Sequence, residues 1–268
     1  MGRPIAPMSV TVGSAGHTSV GRVRTLNEDA WYAGEHLFVV ADGMGGHAAG
    51  DVASALTIAA LTVLDRPGVH AGEVAVAIAE ANAAVLAHAV DHPEATGLGS
   101  TVCGLVAGNE GWLVFNVGDS RCYEVAEGRL RQITVDHSEV QELIDAGQLT
   151  REEARVHPNR NVITRAVGQD PGPEVDFFVT PAGVGSRLLL SSDGLSTELD
   201  DAQIAQCCAT TTVPAELAAL LVRVAEDAGG RDNITVIVVD DVVVDDDTRP
   251  RRRSTTVPRD LIVREVAQ

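Results

Sequence analysis

Lysine is missing from this 268-residue chain: all 20 residues of the Lys+Arg count are arginine. Chemistry that needs an ε-amine is therefore excluded. There is no P-loop lysine, no kinase strand lysine, no Schiff base with pyridoxal phosphate and no Ser–Lys dyad. Aromatic residues make up only 3%, so a core has to come mainly from Val, Leu, Ile and Ala. Cysteine is scarce as well. Cys103, Cys122, Cys207 and Cys208 show no CxxC or zinc-type spacing, which reads as small buried thiols in a cytosolic protein. No apolar run approaches membrane-spanning length, and the N-terminus lacks the pattern of a secretory signal. The expectation is a cytoplasmic protein without a membrane span.

Positive charge is short too. Twenty cations against 38 acids leave a formal charge of −18, which argues against nucleic acid as a partner, because that binding rests on a basic face. Some of the acids can instead serve divalent cations, which take oxygen ligands.

What is present is a succession of short apolar runs. Residues 9–12 read as an edge strand and residues 37–41 (LFVVA) as a strand covered on both faces. Helical patterns follow over 48–64 and 72–90. Runs at 101–107, 112–117 and 122–125 are separated by hairpin-length turns, the signature of a β-meander. A short helix is expected over 138–146, with Gly147 as its stop. Residues 148–176 carry Pro158, Pro171 and Pro173 and little regular pattern, as functional loops do. Strands at 187–192 and 234–240 bracket helices at 201–208 and 214–227. Hairpin-length connections over 101–125 make a doubly wound parallel sheet the weaker alternative. The pattern predicts an α+β fold, a four-layer α-β-β-α sandwich of two antiparallel sheets flanked by helix pairs. The domain is expected over residues 1–244, and residues 245–268, which turn from DDD to RPRRR, read as a tail or linker.

Four aspartates sit at the ends of these runs: Asp42, Asp119, Asp193 and Asp232. Each alone is ordinary turn chemistry, since Asp42-Gly43 and Asp193-Gly194 are favourable turn pairs. Together they suit a Mg²⁺ or Mn²⁺ site, because the set is all oxygen and lacks a His/Cys cluster. Two such ions clamp an in-line phosphoryl displacement, and without lysine the phosphate must be gripped by arginine.

The wording of the motifs is specific. RTLNEDA begins at Arg24, VADGMGGHAAG at Val40, GST at Gly99, VGDSR at Val117, LSSDG at Leu190 and GRDNIT at Gly230. In that order they resemble the PPM-type metal-dependent Ser/Thr protein phosphatases (the protein phosphatase 2C family) in their bacterial form, over about four-fifths of the chain. The resemblance implies hydrolysis of phosphoserine and phosphothreonine on proteins in one step, by a water bridging two Mn²⁺ or Mg²⁺ ions. Asp42 matches the bridging carboxylate and the Gly43 carbonyl a ligand of the second metal. Asp193 and Asp232 match ligands of the first. Glu28 matches a position reaching the second metal through water, and Asp29 a supporting residue. Asp119 matches a ligand of a third, weaker metal seen in bacterial members, and Asn161 falls near another, though that role is not assigned. Arg24 matches the phosphate-binding arginine, and residues 148–176 the flap beside the active site. The implied partners are phosphorylated proteins, Ser/Thr kinases and their substrates.

Met44 stands where animal-type members carry the histidine that protonates the leaving group. His47 is near in sequence, but a structural role at a helix start reads as well. His137 and His157 are too far apart to suggest a metal pair. Ser191-Ser192 lacks a GxSxG surround, and 240–247 (DDVVVDDD) lacks EF-hand spacing. The competing expectation is a catalytically silent PPM-fold module that binds phosphoproteins.

Overall fold

The computed structural model of the chain describes residues 10–45, 49–108, 111–180 and 187–243. His47 and the segment 245–268 lie outside the described residues. In chain order the strands are β1 (Val10–Ser19), β2 (Asp29–Ala33), β3 (Leu37–Met44), β4 (Gly99–Ser100), β5 (Val102–Ala107), β6 (Trp112–Val117), β7 (Arg121–Ala126), β8 (Arg129–Gln132), β9 (Asp176–Thr180), β10 (Arg187–Ser191) and β11 (Ile234–Val243). The α-helices are α1 (Gly50–Leu61), α2 (Ala71–Asp91), α3 (Glu139–Asp145), α4 (Arg151–Arg155), α5 (Asp193–Glu198), α6 (Asp201–Cys208) and α7 (Pro214–Ala228).

Apolar runs without polar interruption form because both faces of these strands are covered, and residue parity tells which cover each side chain meets. On β3, Leu37, Val39 and Ala41 pack with α1 and α2, whereas Phe38 and Val40 enter the layer between the sheets. On β11, Val236 and Val238 face α7, and Ile237 and Val239 face the other sheet. One sheet has the order β1-β11-β10-β7-β8 and the other β2-β3-β5-β6-β9, with β4 on β3. All pairs are antiparallel. The expected α-β-β-α sandwich is the fold, and its three apolar layers follow from it.

Two helices cover one sheet; α7, α6 and the short α5 cover the other. On α7, Leu217, Ala218, Leu221, Val222 and Ala225 make the buried stripe that a 3.6 period requires. On α2 the stripe is Val74, Ala77, Ile78, Ala81 and Val85. This 21-residue helix is long and apolar enough, by length and composition, to cross a membrane. The sequence pattern does not single it out as a span, because its Val, Ile and Leu residues are interspersed with alanines and interrupted by Glu73, Glu80, Asn82 and His88. Here its apolar stripe is spent on the core, and Glu73 and Glu80 lie off that stripe. All four cysteines are free and buried, as expected.

The strand at 9–12 is longer than expected, running to Ser19, and it is an edge. Two turn readings are corrected. Asp42 and Gly43 lie inside β3, and Asp193 and Gly194 open α5. A Ser or Asp before an apolar stretch caps helices as readily as it makes turns.

Candidate active site

The parity that fills the layer between the sheets also delivers acids to its end. Trp31 and Ala33 on β2, and Phe38 and Val40 on β3, face the opposing sheet, so Asp29 and Asp42 face it as well. They are register partners, directly opposite one another. Like charges so placed are destabilising, which marks this pair as kept for something other than sheet stability. From the other sheet, β10 ends at Ser191 and delivers Asp193, while the approach to β11 delivers Asp232. Asp119 follows β6 through Gly118, whose φ of +108° suits glycine, and whose added Cβ would lie 2.6 Å from the Thr101 side chain.

The carboxylates meet. Asp42 and Asp193 share a hydrogen bond. Burial pushes Asp42 well above the usual carboxylate range, and Asp29, Asp193 and Asp119 push it further. Asp193 is also raised by burial and by Asp232, to about 6. Burial likewise raises Asp119, with Asp193 next in effect. Asp29 is held at about 7 by burial, even though its Oδ2 accepts hydrogen bonds from Ser192 Oγ (2.8 Å) and Thr235 Oγ1 (2.6 Å). Those two bonds tie β2 to the ends of β10 and β11 across the sandwich.

Arg24 sits at the rim, with its side chain 47% exposed. Its Nη2 donates to Asp232 Oδ2 at 2.8 Å, and its Nη1 lies 3.9 Å from Glu28 Oε2. Glu28 accepts from the Gly50 amide (3.2 Å) at the start of α1, and burial raises its carboxyl. Gly43 is fixed by close approach: a Cβ there would lie 2.0 Å from the Gly50 carbonyl oxygen and 2.5 Å from that of Glu28. The structure thus gathers Asp42, Asp193, Asp232, Asp119 and Asp29, with Gly43, Arg24 and Glu28 at the margin. Met44 ends β3 beside them.

The donor set fits divalent cations. It is entirely oxygen, its members repel one another, and two buried oxygens, Asp29 Oδ1 and Asp119 Oδ1, have no hydrogen-bond partner. Among the described residues no three of the acidic, His or Cys side chains close round one point. Asp42 and Asp193 hold each other and Asp232 holds Arg24, so a cation would have to displace a proton and an arginine.

Several supports had no role in the sequence reading. Asn233 is buried; its Oδ1 accepts the Glu28 amide (2.8 Å), and its Nδ2 donates to the carbonyls of Val20 (3.0 Å) and Leu26 (2.9 Å). It therefore shapes the loop that carries Arg24 and Glu28. The Thr101 hydroxyl accepts the Asp42 amide at 3.0 Å. His137 is buried, with burial lowering its basicity; its Nδ1 accepts the Gly118 amide (3.1 Å) and its Nε2 lies 3.2 Å from Asp176. It thereby joins the base of the 138–161 segment to the turn before Asp119. The only sequence signal for Asn233 was its place between Asp232 and an apolar strand. His157 is half-buried and Asn161 exposed, and of the two only Asn161 lines the groove that reaches Asp119.

This arrangement, acids from both sheets converging at one end of an α-β-β-α sandwich, is an all-oxygen donor set of the kind that suits divalent cations. The family model described as Protein phosphatase 2C matches residues 17–229, and the chain belongs to that family. It is 43% identical over 237 residues to the serine/threonine protein phosphatase PstP of Mycobacterium tuberculosis, an alignment covering 86% of this chain and 45% of that protein. The chain therefore spans under half the length of that relative. It is 35% identical to the serine/threonine phosphatase stp of Listeria innocua, over 81% of this chain and 91% of that one. A crystal structure of the catalytic domain of PstP in complex with two manganese ions superposes with a TM-score of 0.80 at 39% identity, covering 87% of this chain and all of the other.

Proposed function

We propose that this protein is a metal-dependent protein-serine/threonine phosphatase acting on phosphorylated proteins, among them Ser/Thr kinases and their substrates. The observation that carries the reading is the convergence of half-buried Asp42, Asp193 and Asp29 with buried Asp119, whose mutual repulsion only a cation or a proton relieves. A silent phosphoprotein-binding module would gain nothing from that cost. Asp42, the Gly43 carbonyl, Asp193 and Asp232 would hold two divalent ions, Mn²⁺ or Mg²⁺, and Asp119 a third. The two manganese ions in the PstP complex support the two-ion part of this reading. Bound there, such ions supply a nucleophile at neutral pH and neutralise charge on the phosphoryl group.

The chain's own groups do the rest. Arg24 has a planar fork at the rim, and when it leaves Asp232 it is free to take two phosphoryl oxygens. Glu28, anchored on the Gly50 amide, stays beside it and orients it. Asp29 and Asn233 hold the strand ends so that acids from two sheets keep one spacing. Four free thiols accord with a reducing, cytoplasmic location. The catalytic domain is taken as residues 1–244, with 245–268 as a tail.

Hydrolysis of p-nitrophenyl phosphate, with and without chelator, tests the reading. Chelation and Asp193→Asn should each abolish turnover, and Mn²⁺ should restore it only to the unsubstituted protein. Turnover that survives chelation with no metal detected would end the proposal.

A further inference from the structure

A groove of about 470 Å³ runs from Asp119 and Asp193 between the segment carrying α3 and α4 and the start of α6. Arg151, Arg155 and Arg160 line it. Thirteen arginines lie among the described residues, and eight of them pair with described carboxylates. Of the five that have no such partner, three are these groove residues. Arg151 and Arg155 are i and i+4 on α4, so they share one helix face. All three are exposed. In a chain of charge −18, carboxylates are abundant, so three unpaired guanidinium groups on one wall are an exception to be explained.

The α6 side of the groove is acidic. Asp200 caps α6, accepting the Gln203 amide at 2.8 Å, and Asp201 is the first residue of the helix. No ion pair joins Asp200 or Asp201 to the three arginines among the described residues. The α4 side carries three arginines and one carboxylate, Glu152, and the α6 side carries Asp200 and Asp201 with no cation, so the groove is net cationic on one side and anionic on the other.

We propose that this groove is a docking channel for the substrate polypeptide, in which Arg151, Arg155 and Arg160 hold an anionic residue that neighbours the phosphorylated one. The inference rests on the phosphatase reading and adds a sequence preference to it. A phosphorylated side chain placed at the acid cluster must lead its own backbone out across an adjoining surface, and this groove adjoins it. A flanking carboxylate or second phosphoryl group would meet unpaired guanidinium forks, whose geometry suits either. The acidic α6 side disfavours a uniformly polyanionic segment. A chain with an anion on one side and neutral or basic residues on the other fits best.

The test compares the unsubstituted protein with an Arg151→Ala/Arg155→Ala/Arg160→Ala variant. The substrates are p-nitrophenyl phosphate and one phosphothreonine peptide whose flanking position is Ala, Glu, phosphoserine or Arg. The variant should hydrolyse p-nitrophenyl phosphate and the Ala peptide at unchanged kcat/KM. It should lose about tenfold on the Glu and phosphoserine peptides, the size expected of two or three solvent-screened ion pairs. Arg155→Glu should gain on the Arg-flanked peptide, which a merely structural arginine would not produce. Equal rates on all four peptides before and after substitution, or an equal loss on every substrate, would overturn the docking channel while leaving the phosphatase reading standing. An unsubstituted protein inert toward every substrate in the presence of Mn²⁺ would overturn both.

Discussion

Replacing Asp29 by asparagine isolates the charge stored at the head of the sandwich. Asp29 is buried opposite Asp42, and its carboxyl is raised from 3.8 to about 7. The sign follows from proton counting. Between those two values the native protein holds a proton that the unfolded chain has released, so stability falls as pH rises through this window and levels off above about 7. At 1.36 kcal/mol per unit the full cost at pH 8 is at most about 4 kcal/mol, while at pH 5 it is under about 2 kcal/mol. An asparagine side chain at this position does not titrate and avoids this cost. Its carbonyl oxygen can still accept from Ser192 and Thr235, and whatever the exchange of oxygen for amide costs is the same at both pH values. Denaturant unfolding of chelated protein at pH 5 and pH 8 therefore separates the two effects. Asp29→Asn should gain about 2–3 kcal/mol on the unsubstituted protein between pH 5 and pH 8, and saturating Mn²⁺ should narrow that gap by stabilising the carboxylates. A stability difference that does not change with pH would refute the view that a buried, repelling carboxylate is stored here.

Three further outcomes follow from particular contacts. Asn233→Ala removes three hydrogen bonds around the Arg24–Glu28 loop and should cost about 3 kcal/mol in denaturant unfolding; a loss below ~1 kcal/mol would show that the loop is held elsewhere. Gly43→Ala drives a methyl into the Gly50 backbone, so thermal unfolding should show a large drop in Tm, or no folded protein at all. Arg24→Ala should reduce kcat/KM on p-nitrophenyl phosphate about a hundredfold, as removal of one preorganised donor does, while the melting temperature stays near that of the unsubstituted protein because the side chain is half exposed. A parallel fall in melting temperature would recast Arg24 as structural.

The elements legible in the sequence were those whose apolar runs are long and covered on both sides. β3, β5, β6, β10 and β11 stand where LFVVA, VCGLVA, WLVFNV, RLLLS and ITVIVV place them. β2 and β9 escaped, because DAWYA and DFFVT are five residues each, half-covered, and embedded in polar or proline-rich sequence. β8, exposed along alternate residues, had no apolar run to announce it. At the site the aspartates were legible as types at strand ends. What pairing alone supplies is which acids face each other: the opposition of Asp29 and Asp42 depends on a register that no local pattern encodes. Asn233 and His137 were illegible for a related reason. Each acts by holding backbone groups distant in sequence, Glu28 in one case and Gly118 in the other.

The formal charge of −18 resolves into two populations that do different things. About half of the acids among the described residues are exposed, where water solvates them at little cost. A few are buried at one end of the inter-sheet layer, where dielectric screening is weak and each neighbour raises the next. A fold that spent its core only on stability would have filled that end with apolar side chains, as residues 37–41 of β3 and 236–239 of β11 are. With a cation bound as proposed, occupancy of the site and stability of the two-sheet junction would rise together. The arginines complete the division. Among the described residues eight pair with carboxylates, and three of the five that do not, Arg151, Arg155 and Arg160, line the groove, where they would meet the anion of a docked substrate.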